Sequence, residues 1–308
     1  MEIALQFVLL ALGFVMLGKG ADWFVEGAAG IAMRFGIPQL VIGLTIVAMG
    51  TSAPEAAVSI AAAVKGNADI TIGNIVGSNI LNILVILGLA ASIVPIAVAR
   101  STVRIEIPFM IGVTALLFYQ GRDGSISLAD GGVLMVAFAA YMMYLYTMAM
   151  KSNVDSDLEE PGLPLARCLL GAVGGLALII AGSNVTVGAA TSIATYAGLS
   201  ERFIGLTIVA LGTSLPELFT SVAAARRGNA DIAIGNIVGS NIFNILFVVG
   251  LSSLIIDIPF ASAFNFDTYV ALGAAVLLWL CVLRTQRLQR WAGALMLVCY
   301  AAYLGYIL

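Results

Sequence analysis

Apolar residues run along this chain in long unbroken stretches, separated by short polar or Gly/Pro connections. Split at those connections, they fall near residues 3–26, 37–64, 70–96, 105–120, 128–150, 164–186, 200–225, 232–256, 268–283 and 289–307. A membrane-spanning helix takes about 20 apolar residues. The stretches are continuous, unlike the short alternating strands of a membrane barrel. The pattern predicts an all-α polytopic membrane protein of ten transmembrane helices. The N-terminus, Met1-Glu2-Ile3-Ala4-Leu5, lacks the basic region of a cleaved signal, so the first helix is expected to be retained.

Lys and Arg in the short connections set the orientation. With ten spans, one face receives Arg34, Arg100, Arg104, Lys151, Arg167, Arg226, Arg227, Arg284, Arg287 and Arg290. The other receives Lys65, Arg122 and Arg202, while Lys19 falls inside the first span. The basic face is therefore expected in the cytoplasm, with the chain multi-pass in the cell (inner) membrane and both termini extracytoplasmic. Composition agrees: of 308 residues 61% are hydrophobic and 10% charged, with mean hydropathy +1.07. A soluble domain carries about 25% charged residues. A soluble enzyme, a nucleic-acid binder and a secreted disulfide scaffold are thereby excluded. The lipid bilayer is the expected surrounding, and no obligate protein partner is evident. The net charge of −3 says nothing about anionic partners. His is absent, so no imidazole can bind a metal or relay a proton. Cys168, Cys281 and Cys299 are isolated and read as apolar packing residues.

The chain repeats itself. GLTIVAMGTSAPE at 43–55 matches GLTIVALGTSLPE at 205–217 in eleven of thirteen positions, an offset of 162. At the same offset, GNADITIGNIVGSNILNIL at 66–84 matches GNADIAIGNIVGSNIFNIL at 228–246 in seventeen of nineteen. The expected domains are a first five-helix repeat at 1–150, an acidic cytoplasmic linker at 151–163 and a second five-helix repeat at 164–308. The repeated blocks lie at 43–84 and 205–246. Five spans per half is an odd number, so the second copy enters the membrane from the opposite side. Inverted repeats place a shared site near the midplane, reached in turn from either face. The linker's Asp155, Asp157, Glu159 and Glu160 read as a solvated connection, too short for a folded sensor domain.

The chemistry sits in the repeated blocks. Glu55 and Glu217 lie inside the second and seventh spans with no Lys or Arg nearby in either span. A carboxylate there costs several kcal/mol unless something pairs with it. One solution is a protonated, hydrogen-bonded acid; two equivalent acids meeting on one axis favour a cation ligand instead. Each Glu follows a Pro, in Thr51-Ser52-Ala53-Pro54-Glu55 and Thr213-Ser214-Leu215-Pro216-Glu217. Proline removes one helix N–H and clashes with the carbonyl four residues back. Helices 2 and 7 should break there and free carbonyls around Ala48–Ser52 and Ala210–Ser214. Irregular backbone at this depth survives where it is buried in protein or lines a cavity.

The second block offers Ser78 and Asn82, four apart and on one helix face, and their mates Ser240 and Asn244. These are assigned to the cavity; Asn74, Asn79, Asn236 and Asn241 are assigned to helix packing. Asp69 and Asp231 are expected to cap their helices. Asp22 and Glu26 align with Asn184 and Gly188, so their charge is not duplicated. The donors are carboxylate, carbonyl, hydroxyl and amide oxygens, which suit hard cations such as Ca²⁺ or Na⁺. Two carboxylates are balanced by one Ca²⁺ or by two Na⁺, and a low-dielectric cavity penalises imbalance. Exchange is thus favoured over leak. Protons are a third load the acids can carry.

At these blocks the sequence resembles the cation/calcium antiporter superfamily, and most of all its prokaryotic sodium/calcium exchanger branch. The resemblance rests on GTSAPE and GTSLPE followed by GNIVGSNILNIL and GNIVGSNIFNIL. It implies a central Ca²⁺ site of Glu55, Glu217 and the carbonyls of Thr51 and Thr213. It implies Na⁺ sites using Ser52, Ser214, Ser78, Ser240 and the carbonyls of Ala48 and Ala210. It further implies electrogenic exchange, with the first and sixth helices sliding past the remaining core. The potassium-dependent branch carries Asp where this chain has Asn244, which argues against K⁺ cotransport. No cofactor is implied beyond the transported ions. The expected function is a secondary antiporter trading Na⁺ for Ca²⁺; the alternatives are Ca²⁺/H⁺ antiport on the same scaffold and a passive cation channel. Catalysis has no support, since the Ser residues have no evident base.

Overall fold

In the computed structural model, the described residues are 2–66, 68–152, 163–198 and 210–307. Long apolar helices dominate: α1 (Ile3–Arg34), α4 (Ile70–Ile93), α5 (Thr102–Asp123), α6 (Leu128–Lys151), α7 (Leu165–Tyr196), α10 (Ala230–Ile255), α11 (Ala263–Leu283) and α12 (Arg290–Ile307). Each is long and apolar enough to cross a membrane. Between α1 and α4 lies a pair, α2 (Gln39–Thr51) and α3 (Ala53–Val64), bent by 51° and together long and apolar enough for a broken span or a re-entrant loop. The expected seventh span, 200–225, lies partly outside the described residues. Its described part is α8 (Ala210–Thr213) and α9 (Leu215–Arg226). The acidic linker also falls mostly outside them.

The bend occurs where the sequence places it. Ser52 leaves the helical region at φ −82°, ψ 6°, with Pro54 in the first turn of α3. Ser214 does the same at φ −91°, ψ 3°, with Pro216 opening α9. Proline is tolerated in a first turn because that N–H has no helical acceptor.

Two helices run longer than expected. The apolar stretches end near 26 and 186, at charged or glycine positions, yet α1 and α7 each extend for 32 residues. At 1.5 Å per residue that is about 48 Å, beyond the ~30 Å hydrocarbon core, so both must tilt or protrude. They lie against each other along most of their length. Glycines allow the approach: a Cβ at Gly20 would stand 2.9 Å from the Gly175 carbonyl oxygen, and one at Gly27 2.4 Å from the Ala172 nitrogen. Small residues of this kind let backbones touch in lipid.

The centre belongs to α4 and α10. Of their apolar windows 78% and 94% are buried, against 44% or less for the other long helices. Both contain a π-helical stretch at corresponding positions, Asn82–Leu87 and Asn244–Val249. Such bulges are frequent at functional sites. The outer helices turn Phe7, Val15, Val136, Leu170, Val173 and Val298 outward, the band expected to meet lipid.

Two short sheets tie the helix ends. β1 (Ile96–Ala97) pairs antiparallel with β4 (Arg287–Leu288), and β2 (Ser125–Ile126) with β3 (Ile258–Pro259). β3 and β4 stand 162 residues after β1 and β2, so the two sheets are the same pairing made twice. α5 runs from the β1–β4 sheet to the β2–β3 sheet, and α11 runs the opposite way.

The helix-capping expectation is corrected for Asp231: Asn229 occupies the flanking position of α10, no side-chain cap bond forms there, and Asp231 lies inside the first turn. A negative charge there still meets the positive end of the helix. The Asp69 side chain lies outside the described residues.

Candidate functional site

The break at Ser52 and its mate at Ser214 bring two buried acids together. Glu55 and Glu217 are each 1% exposed, though neither is neutralised by an ion pair among the described residues. They lie close enough to act on each other electrostatically. Each is held by hydroxyls from the opposite half. Ser52 Oγ donates to Glu217 Oε1 at 2.8 Å, and Ser214 Oγ to Glu55 Oε1 at 3.5 Å. Thr51 stands beside Glu217, and Thr213 beside Glu55. Both Oε2 atoms are buried without a donor.

An Asn fixes the backbone beneath each acid. Asn74 Nδ2 donates to the Glu55 carbonyl at 3.3 Å and to Ser59 Oγ at 3.0 Å. Asn236 Nδ2 donates to the Glu217 carbonyl at 3.5 Å and to Ser221 Oγ at 2.9 Å. Asn236 Oδ1 accepts from Thr51 Oγ1 at 3.0 Å. These two asparagines therefore join helices, as expected, and also anchor the acids.

A second amide network crosses between α4 and α10. Asn79 Nδ2 donates to the Asn241 carbonyl at 3.1 Å, and Asn241 Nδ2 to the Asn79 carbonyl at 3.2 Å. Asn82 Nδ2 donates to Asn241 Oδ1 at 2.9 Å, and Asn244 Nδ2 to Asn79 Oδ1 at 3.1 Å. The packing role of Asn79 and Asn241 is thus direct. Asn82 and Asn244 spend their donors on this network, which leaves their Oδ1 atoms buried and without a donor. The π turn opened by Asn82 packs on α9, and the one opened by Asn244 packs on α3, so each lies against the opposite half's acid-bearing helix.

Four buried oxygens are therefore orphaned at paired positions: two carboxylate and two amide. Unpaired buried acceptors are costly, and a charge more so. A cation, a proton or a water could complete them, and only the first two also offset the charge of a carboxylate. Among the described residues no three Cys, Asp or Glu cluster as a metal site, so any bound ion would draw on hydroxyls, amides and carbonyls as well.

The break frees fewer carbonyls than the proline rule suggests. The Ala48 carbonyl accepts from the Ser52 N–H at 3.0 Å, from Thr51 Oγ1 at 3.3 Å and from Ser240 Oγ at 3.3 Å. The Gly212 carbonyl, four before Pro216, accepts from Ser183 Oγ at 2.7 Å. Position 21, which corresponds to Ser183, is Ala and donates nothing. Ser78 is buried on α4. Ala210 opens α8.

Two features lie beyond what the sequence pattern singles out. Arg227, at the end of α9, bridges Asp22 and Glu26 of α1, both at 3.2 Å, across exposed surface. Glu106, within the expected fourth span, is fully buried and accepts from Tyr144 Oη. An acid two residues before Pro108 inside an apolar stretch is the signal that marks it.

A family model described as sodium/calcium exchanger protein matches residues 5–147 and 168–308. The chain is 40% identical over 314 residues to a putative antiporter, CaxA, of Alkalimonas amylolytica, covering 98% of each. It is 33% identical over 345 residues to the sodium/calcium exchanger MaX1 of Methanosarcina acetivorans, again covering 98% of each. An inner membrane protein of Escherichia coli K12, YrbG, is 41% identical over 260 residues, 80% of this chain and 79% of that protein. A solved structure of the sodium-calcium exchanger NCX_Mj superposes with TM-score 0.87 at 33% identity, covering 99% of this chain and 100% of that one. With the family model spanning both halves and these relatives matching nearly end to end, the chain belongs to the sodium/calcium exchanger family and is a membrane transporter, not an enzyme.

Proposed function

We propose that this protein exchanges Na⁺ for Ca²⁺ across the cell membrane by alternating access, with Ca²⁺ held between Glu55 and Glu217. The carrying observation is the exchange of hydroxyls between halves. Each buried acid takes its Ser donor from the other copy, and each keeps one oxygen without a donor. Two carboxylates and one Ca²⁺ make a neutral load; so do two carboxylates and two Na⁺. The emptied, doubly charged site is penalised in a low-dielectric interior, and that penalty couples the two fluxes.

The Thr51 and Thr213 carbonyls complete the Ca²⁺ shell in this reading. Ser52, Ser214, Ser78, Ser240 and the carbonyls of Ala48 and Ala210 hold Na⁺, with Asn82 and Asn244 lining the cavity. A cation at Ala48 displaces hydroxyl donors that now satisfy that carbonyl. Ten spans form two inverted five-helix repeats, 1–150 and 164–308, joined by the 151–163 linker. The opposed α5 and α11 and the reciprocal strand pairs support that arrangement. Relatives whose names specify sodium/calcium exchange support the choice of ions.

The test is Ca²⁺ uptake into proteoliposomes under an imposed Na⁺ gradient at fixed pH. Na⁺-dependent uptake is expected, and it should fall at least about 100-fold in Glu55→Gln or Glu217→Gln alone. Wild-type flux in either variant overturns the site. Uptake that follows a pH gradient and ignores Na⁺ replaces the reading with Ca²⁺/H⁺ antiport. Sustained flux without a counter-ion replaces it with a channel.

A further inference from the structure

Glu106 lies outside both repeated blocks, and its mate at the 162 offset is Thr268, so this acid is not duplicated. Glu106 and Thr102 are both 0% exposed, and Tyr141 is also buried. Tyr144 Oη donates to Glu106 Oε1. Around it Glu106 Oε2, Thr102 Oγ1 and Tyr141 Oη all lack a hydrogen-bond partner. Thr102 and Glu106 bound a π-helical turn and share its face. A cavity of about 140 Å³ opens beside them, lined by Ile105, Glu106, Phe109, Ala140, Tyr141 and Tyr144.

The second half supplies an internal contrast. Tyr303 and Tyr306 stand at the offset from Tyr141 and Tyr144. There the nearby acid is Asp267, only half-buried, and Tyr303 Oη donates to it at 2.8 Å. In the first half the acid is sealed in and most of the surrounding oxygens are left over.

A buried carboxylate reached only by neutral donors demands a compensating positive charge. The ion pairs among the described residues all belong to Arg227, so no side-chain cation supplies it. The groups facing Glu106 are the two phenols of α6 and the Thr102 hydroxyl of its own helix. Water in the cavity would satisfy the oxygens but leave the charge. Four side chains bearing hard oxygens and one formal charge match a cation of charge one; a divalent ion would leave the pocket positive. We propose that Glu106, Thr102, Tyr141 and Tyr144 form a second cation site, separate from the Glu55–Glu217 pair, that takes one univalent cation, a proton or an alkali ion.

The test uses full-length protein with Glu55→Gln and Glu217→Gln combined, so that failure of the central site does not affect the outcome. Thermal unfolding is followed against Na⁺, K⁺ and pH, and infrared difference spectra follow the carboxyl band. An alkali occupant gives saturable stabilisation at fixed pH. A proton occupant gives a carboxyl band that titrates with pH and ignores Na⁺. Either response must vanish in Glu106→Gln and persist in Asp267→Asn. Tyr144→Phe keeps the carboxylate and removes its donor, and should shift the titration midpoint about tenfold; it also serves if Glu106→Gln fails to fold. No response to any of the three ions, or a response untouched by both substitutions, overturns the site.

Discussion

Ser52 and Ser214 occupy equivalent positions but do unequal work. The Ser52 bond to Glu217 is short at 2.8 Å; the Ser214 bond to Glu55 is at the limit of a hydrogen bond at 3.5 Å. A hydrogen bond to a charged group is worth about 1.5–3 kcal/mol. Ser52→Ala is therefore expected to weaken ion binding about tenfold or more, and Ser214→Ala by a few-fold at most. Apparent Na⁺ and Ca²⁺ affinities from transport titrations check this; equal losses would show that the two hydroxyls are equivalent in the working protein. The motif made these residues legible, because an acid placed after a proline in a duplicated apolar block is too costly to keep there for packing alone. The difference between them was not legible, since the two copies read alike. The surroundings outside the motif also differ: Ser183 holds the Gly212 carbonyl where the first half has Ala21.

Elements were legible where lipid dictates them and blurred where it does not. Apolar length predicted the helices, but it could not predict that α1 and α7 continue through Glu26 and Gly188 beyond the apolar band. Helix geometry does not stop where hydrophobicity does. Their seam depends on glycine. A Cβ at Gly175 would stand 2.5 Å from the Phe24 nitrogen, whereas one at Gly174 meets nothing within 4 Å. Gly175→Ala should overpack the pair and destabilise by about 1–3 kcal/mol, while Gly174→Ala should be neutral or slightly stabilising. Thermal unfolding in detergent distinguishes them; a neutral Gly175→Ala would mean that the seam can spread at little cost. The π-helical turns were equally invisible, because an extra residue in a turn leaves no periodic trace in a uniformly apolar stretch. Yet Asn82 and Asn244 open two of them, where their amides turn sideways into the cross-half network.

At the scale of the whole molecule, the reciprocal strand pairs and the opposed α5 and α11 say which helix ends share a face, but not which face is cytoplasmic. The charge distribution predicts that. The β1–β4 sheet joins the connections that hold Arg100, Arg284, Arg287 and Arg290; the β2–β3 sheet joins those that hold Arg122, Asp123 and Asp257. Basic residues stay in the cytoplasm, so the β1–β4 sheet should face inward and both termini outward. A reporter inserted at 284–289 is expected to behave as cytoplasmic, with fluorescent protein bright and alkaline phosphatase silent. The same reporters fused after residue 308 should give the reverse. Like readings at the two places would mean that α12 does not cross the bilayer. Opposite but exchanged readings would keep the fold and invert its placement, moving the Asp22–Arg227–Glu26 bridge to the outer surface. Because that bridge ties α1, the helix expected to slide, to the end of the Glu217 helix, its side of the membrane determines which solution's salt screens it. With the predicted placement, ionic strength on the cytoplasmic side alone should alter the exchange rate.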